Sequence, residues 1–515
     1  MLSYCLSAGG AGDVTTAGEG KLRGLVGRHG KLSCAKSLRP RRGGTALFVA
    51  LLVIACACRP ASAETLAEAL ADAYLINPVL NAERARLRAI DEQVALAKSG
   101  MRPFVGATAD WNYVNQNSTR ARGAATGGQA VDLGIAGLTQ GNGTTHPHGY
   151  AFQFSQPIFE GFQNINAVRQ AKATVQAARE SLRAVEQTVL LDAVTAYVNV
   201  VRDQAVVRLR ENDVKVLSEQ LKATQDRFDV GEVTRTDVAQ AEARRSEALA
   251  TLAAAQANLK TSRAAYQQVI GHPPGNLVTP PSIRHLLPGT INEAMTLGDG
   301  ENPIILAAVY DEEASLYAVD QIMGEMLPEV ALEAQYENRF DQSETLRELE
   351  TTTVTGRVNV PLYQGGSVSA RVRQAKETNN QLKKQVEDAR LRVHADVIAN
   401  WGILQSSGPA ITSAEAAVAA NKIALTGVRE EEKVGQRTTL DVLDATRELL
   451  NSQIGLVSAL RDRVVAEYSL YAAIGRMDAQ TLGLSVPYYD PIEHYDIIKN
   501  KWFGLRPPAP PAPDE

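Results

Sequence analysis

Residues 157–172, PIFEGFQNINAVRQAK, return in step at 361–376 as PLYQGGSVSARVRQAK. Pro157 meets Pro361, Gly161 meets Gly365, and Arg169-Gln170-Ala171-Lys172 meets Arg373-Gln374-Ala375-Lys376. Further along, the same register pairs Gly231 with Gly435, Asp237-Val238 with Asp441-Val442, and Ile270-Gly271 with Ile474-Gly475. Toward the N-terminus, Thr65-Leu66-Ala67-Glu68-Ala69 pairs with Thr290-Ile291-Asn292-Glu293-Ala294. Asn77-Pro78 then pairs with Asn302-Pro303, Pro103 with Pro328, and Trp111 with Tyr336. Register kept over so long a stretch makes the chain two copies of one supersecondary unit. We read them as residues 64–275 and 276–480, followed by a C-terminal segment at 481–515. Trp111 and Pro157 stand farther apart than Tyr336 and Pro361, so the first copy carries an insertion. Its Gly/Asn/Thr-rich stretch from Asn115 to Gly149 reads as a long flexible loop.

Each copy has the order short helix, Asn-Pro, helix, strand, loop, strand, very long helix, Gly turn, shorter helix. The long helices are expected from about Asn164 to Val230 and Val368 to Val434, as continuous rods with no proline to break them. About 65 residues at 1.5 Å each make a rod of roughly 100 Å, far longer than a compact domain needs and suited to a coiled coil. Val175, Leu182, Val185, Val189, Ala193 and Ala196 recur at threes and fours as a narrow seam. The shorter helices, from about Asn77 to Met101 and Thr236 to Ile270, sum to nearly one long helix and would stack end to end beside it. Asn77-Pro78 suits a helix start, since proline in the first turn forfeits no hydrogen bond. Gly231 and Gly435, each followed closely by Thr and Asp, read as a C-cap and then an N-cap, so each long helix turns back as a hairpin.

Expected β-hairpins span 103–157 and 328–361. Val330, Leu332, Ala334 and Tyr336 alternate with Ala331, Glu333, Gln335 and Glu337. Val354, Val358 and Val360 alternate with Thr355, Arg357 and Asn359, and Tyr150, Phe152 and Phe154 with Ala151, Gln153 and Ser155. This period suits a strand with one face in lipid and one in water, and equally an ordinary soluble hairpin. Two such hairpins behind an export signal favour the membrane. Four strands cannot close a barrel, for which about eight are needed, so chains would have to share one.

The export signal is the basic Arg39-Pro40-Arg41-Arg42, the apolar run Thr45 to Cys58, and the small-residue site Ala61-Ser62-Ala63, making residues 1–63 a leader. A lipoprotein attached at Cys56, in Val53-Ile54-Ala55-Cys56, is the competing reading. All four cysteines, Cys5, Cys34, Cys56 and Cys58, fall within that leader. A mature chain would therefore hold no disulfide, thiolate metal site or cysteine nucleophile. The whole chain of 515 residues has a formal charge of -5, and the leader takes mostly basic residues with it. An acidic exported chain argues against nucleic acid as partner. His146-Pro147-His148 lies in the insertion without a third ligand and reads as surface loop, so neither metal nor cofactor is expected. Nucleophile-elbow, phosphate-loop and zinc-helix motifs are missing from the sequence, which speaks against an enzyme. The tail Pro507-Pro508-Ala509-Pro510-Pro511-Ala512-Pro513 reads as a polyproline extension.

Together the duplication, the paired Asn-Pro entries and the Pro-(Ile/Leu)-(Phe/Tyr)-x-Gly joints at 157–161 and 361–365 resemble the TolC family of outer-membrane efflux proteins. So does Val434-Gly435-Gln436-Arg437-Thr438-Thr439-Leu440-Asp441-Val442-Leu443-Asp444-Ala445. The resemblance implies an α+β membrane protein of the outer membrane. In it, four strands per chain join a shared 12-stranded β-barrel of a homotrimer, which continues as a long α-helical coiled-coil barrel through the periplasm. It implies a girdle from segments near Leu277–Leu297 and the C-terminal region. It also implies a passive exit duct for drugs or type I secreted proteins, served by a periplasmic adaptor and an inner-membrane efflux pump or ABC transporter. A soluble periplasmic coiled-coil adaptor is the alternative, though such a protein would not repeat a strand-hairpin and helix unit twice.

Asp441 and Asp444 share one helix face just after the turn. Taken alone, Asp441 so near a helix start is a cap or a partner of the helix dipole. By resemblance, both match the entrance aspartates that would ring the closed tunnel. Arg437 matches the family's gate arginine, expected to bond Asp237 and Thr236 of a neighbouring chain. Glu432 stands where the family's gate carries tyrosine; a carboxylate there would repel Asp237, with Lys433 as the nearby compensating charge.

Overall fold

A computed structural model of the protein describes residues 64–116, 143–342 and 346–508. The leader with Cys56 and Ala63, the middle of the insertion and the tail from Ala509 lie outside the described residues. In the first copy, α1 (Leu66–Ile76) and α2 (Pro78–Ser99) lead into β1 (Phe104–Trp111), β2 (Val114–Gln116), β3 (Gly143–Thr145) and β4 (His148–Glu160). Then come α3 (Gln163–Asp229) and α4 (Arg235–Ile270). After a 3-10 turn at Arg284–Leu286, the second copy runs α5 (Ile291–Glu301), α6 (Pro303–Gly324), β5 (Glu329–Phe340), β6 (Glu348–Asn359), α7 (Ser367–Lys433) and α8 (Thr439–Ala473). A short α9 (Glu493–Ile498) follows in the C-terminal segment.

Corresponding helices match in length. α3 and α7 each have 67 residues, or about 100 Å of rod. α1 and α5 have 11 each, and α2 and α6 have 22 each. The end-to-end stacking is fixed by the Asn of each Asn-Pro. Asn77 caps Val79 N–H at 2.9 Å through Oδ1, while its Nδ2 donates to Val269 O at the end of α4. Asn302 does the same to Ile304 N–H and to Ala473 O in α8. One side chain thus starts one short helix and seats it on the end of the other.

One expectation fails. α7 contains Pro409, so it is not free of internal proline. Proline removes one rung of the helix ladder and crowds the preceding turn. The rod nonetheless continues through it with its helical assignment unbroken. The insertion also departs from a simple loop. β2 and β3 pair antiparallel, Val114 with Thr145 and Gln116 with Gly143, and β4 already starts at His148.

Strand order in the main sheet is β1-β4-β5-β6, antiparallel throughout. Cross-strand register sorts its faces. One row runs Val105–Phe154–Ala334–Val354 and the next Ala107–Phe152–Tyr336–Thr352. On the opposite face run Gly106–Gln153–Gln335–Thr353 and Phe104–Ser155–Glu333–Thr355. That second face carries ion pairs, Arg357 with Glu333 at 2.8 Å and Arg339 with Asp110 at 3.0 Å. Twelve residues at about 3.4 Å, tilted about 45°, rise about 29 Å, close to an outer-membrane apolar band. No described helix is long and apolar enough to cross a membrane.

At the sheet's helical side, Gly161 has φ +56° and a Cβ there would stand 2.1 Å from Gly324 O. Only glycine lets the β4–α3 joint and the α6–β5 joint touch. The main core lies mid-rod, where both copies converge: Leu190, Tyr197, Tyr266, Leu470, Tyr471 and Ile474 are essentially sealed from solvent. Each leucine or isoleucine among them contributes about 1.5–3 kcal/mol by burial. Glu64 is the polar hub there, bridging to Leu277 and accepting from the Tyr266 hydroxyl and from Gly275 N–H at 2.9 Å.

Candidate functional site

Both α-hairpins end in the same turn, one rod length from the sheet. Gly231 (φ +82°) and Gly435 (φ +78°) adopt the left-handed conformation that ends α3 and α7. Gly231 N–H returns to Phe228 O and Gly435 N–H to Glu432 O, both at 2.9 Å. Three residues on, a capping box opens the next helix. Thr234 Oγ1 accepts from Asp237 N–H, and Asp237 Oδ2 accepts from Thr234 N–H and its hydroxyl. Thr438 and Asp441 repeat that arrangement.

Asp441 is therefore the third helical residue of a capping box whose N-cap is Thr438. Its carboxyl is held below the usual range by the hydrogen bonds from Thr438, with Arg437 adding a smaller pull. Asp237 is lowered likewise by Thr234. Asp444, one turn further, is bonded at 2.9 Å by Arg244 Nη2 from α4 and approached at 3.6 Å by Arg447. Arg437 gives its Nε to Glu431 at 2.9 Å inside its own turn, a bond that holds the guanidinium charged. Thr236 is exposed on the first turn of α4. Within one chain, then, Arg437 is not placed on Asp237 or Thr236.

Glu432 does not face Asp237. It binds Arg227 Nη1 of α3 at 3.1 Å and accepts from the Thr439 hydroxyl at 3.4 Å. Sequence reading missed Arg227, Arg244 and Glu431. One signal was available: the acidic run Glu430-Glu431-Glu432 aligns with Asp226-Arg227-Phe228, so the turns differ in charge and can attract each other. The turn region thus carries two ties between the copies, Arg227 with Glu432 and Arg244 with Asp444. Among the described residues no His, Cys, Asp and Glu cluster could hold a metal. His146 instead stacks on Trp111 at 5.8 Å between ring centroids.

A sheet with one apolar and one ion-paired face, joined to paired 100 Å hairpins, is matched by known proteins. Residues 69–272 and 299–476 match the family described as outer membrane efflux protein. The chain belongs to that family. It is 41% identical over 449 residues to outer membrane efflux protein BepC of Brucella suis biovar 1, covering 87% of this chain and 93% of the relative. It is 26% identical over 436 residues to outer membrane protein TolC of Escherichia coli K12, covering 82% and 84%. The crystal structure of the Campylobacter jejuni CmeC outer membrane channel superposes with a TM-score of 0.71 at 15% identity, covering 84% of this chain and 89% of that one. The protein is an outer-membrane efflux channel whose helices form the periplasmic tunnel part and whose strands contribute to the barrel. The soluble adaptor reading is set aside.

Proposed function

We propose that three copies of this chain close one barrel and one tunnel, forming a passive exit duct through the outer membrane. The carrying observation is the open sheet: among the described residues, β1 and β6 each pair on one side only. In a bilayer an unpaired edge leaves N–H and C=O groups without partners at several kcal/mol each, so the edges must meet other chains. Three such sheets supply twelve strands. A periplasmic adaptor and an inner-membrane pump or ABC transporter would deliver drugs, toxic compounds or type I secreted proteins to the tunnel.

At the turns, Asp441 and Asp444 from three chains would form a carboxylate ring around the entrance, favouring cations. Arg437 gives its Nε to Glu431, and its Nη groups would bond Asp237 and Thr236 of a neighbouring chain. Arg227 neutralises Glu432, which removes the repulsion expected of a carboxylate at that position. Arg437→Ser in planar bilayers should raise single-channel conductance; unchanged conductance would count against this lock.

A further inference from the structure

Beyond the turns and the barrel, the C-terminal segment forms a strap along α2 that ends beside the sheet. It is fixed at several points. Tyr489 N–H donates to the Tyr74 hydroxyl at 3.0 Å, and His494 Nδ1 meets the buried Asp91 at 3.1 Å. Arg179 lies over the Tyr495 ring at 5.1 Å. Nearer the sheet, Lys98 Nζ donates to Lys499 O and to Asn500 Oδ1, both at 2.8 Å. Arg102 Nη1 donates to Lys501 O at 2.8 Å, and its guanidinium covers the Trp502 ring at 4.7 Å. β1 begins at Phe104, two residues after Arg102.

The strap therefore delivers Trp502, Phe503 and Leu505 to the base of the strands with 64%, 89% and 103% of their surface exposed. Such a trio in water is costly, and the ties beneath it are too many for a stray end. Its surroundings are cationic. Lys98 titrates below its usual range, first because it is desolvated and then because Lys172, Arg102 and Lys499 crowd it. Among the described residues, Asp496 pairs with Lys499 at 2.7 Å. Arg506 follows Leu505 on the exposed end.

We propose that this strap is a membrane-interface anchor. Trp502, Phe503 and Leu505 enter the periplasmic leaflet, and Lys98, Arg102, Lys172 and Arg506 hold anionic phospholipid headgroups beside the barrel. Two observations name the occupant: the patch stands at the foot of β1, the start of the sheet that contributes to the outer-membrane barrel, and its charge complements phosphate. Indole rings favour the headgroup level, and basic side chains near it attract anionic lipid. The proposal rests on the outer-membrane placement of the sheet.

The chain holds three tryptophans, Trp111, Trp401 and Trp502. Trp111→Phe with Trp401→Phe leaves Trp502 as the lone reporter in full-length protein. In phosphatidylcholine vesicles, phosphatidylglycerol brominated high on its acyl chains should quench Trp502 at a lower mole fraction than brominated phosphatidylcholine. Lys172→Gln or Arg506→Gln, neither of which ties the strap by its side chain, should raise the half-quenching fraction roughly fivefold each. Equal quenching by the two lipids would overturn headgroup recognition. Loss of the preference on adding inorganic phosphate would make it a free-anion site and overturn it too. A Trp502 untouched by either lipid, in protein that still conducts, would place the strap against water or a neighbouring subunit; the anchor would then fail while the channel reading stands.

Discussion

Arg244 on α4 and Asp444 on α8 meet at 2.9 Å, joining the two coiled-coil hairpins of one chain just inside their turns. With Arg227 and Glu432 at 3.1 Å, it makes the tunnel end of each chain a single unit. Opening by parting the hairpins has to break both pairs.

Because the Arg244 and Asp444 side chains are 27% and 45% exposed, their coupling in a double-mutant cycle of Arg244→Ala and Asp444→Asn should be modest, about 0.2–1 kcal/mol. The functional effect should exceed the energetic one: Arg244→Ala is expected to raise single-channel conductance and leave the thermal transition nearly unmoved.

The two capping boxes set a pH dependence. Asp237 and Asp441 have folded values below the ordinary 3.8 because Thr234 and Thr438 bond their charged forms. Their stabilisation is complete above 3.8 and is lost as pH falls through the lowered folded values. Amide exchange at the two turns should accelerate in that acid window. Thr438→Ala should weaken its turn by about 0.5–2 kcal/mol above that window and by less within it.

Tyr266 and Tyr197 converge on Glu64, where Tyr197 bonds Glu64 O at 2.8 Å and Tyr266 bonds the carboxylate. Burial pushes the Tyr197 hydroxyl up to about 12, so it stays a donor at physiological pH. Tyr266→Phe leaves the Glu64 carboxylate short of a donor at the junction of both copies and should cost about 1–3 kcal/mol, read as a lowered thermal transition.

The sheet's faces should respond oppositely to one charge. Phe152→Arg places a cation on the apolar face at an expected cost of about 2–4 kcal/mol and should depress folding into vesicles. Gln153→Arg, one residue on, should insert normally and shift ion selectivity toward anions. Equal insertion of the two variants would contradict the assignment of faces.

Much of this architecture was legible because duplication repeats it. Asn77 and Asn302, or Gly231 and Gly435, each carry the same local instruction twice, and alternation at Tyr150 to Ser155 states which side chains share a face. What escaped was physical in origin. Gly143-Thr144-Thr145 shows no apolar alternation, so the β2–β3 extension was hidden in a polar insertion. Pro409 stands in the sequence itself, and the helix runs on through it even though local propensity would break it there. Arg227 with Glu432 and Arg244 with Asp444 depend on how one coiled coil is rotated against the other, which no spacing along the chain specifies. The lock proposed for Arg437 with Asp237 and Thr236 would form between chains, so the contacts within one chain do not bear on it.

The shared barrel is tested most directly by crosslinking its edges. After residue 58 the sequence has no cysteine, so introduced pairs are unambiguous. Ala107→Cys on β1 should be combined in turn with Thr352→Cys, Val354→Cys and Gly356→Cys on β6, and the protein oxidised in native outer membranes. The account expects one register to give covalent dimers and trimers on denaturing gels, with no faster-migrating internally crosslinked monomer. Membrane-inserted, conducting protein that stays monomeric under oxidation at every pairing would contradict it.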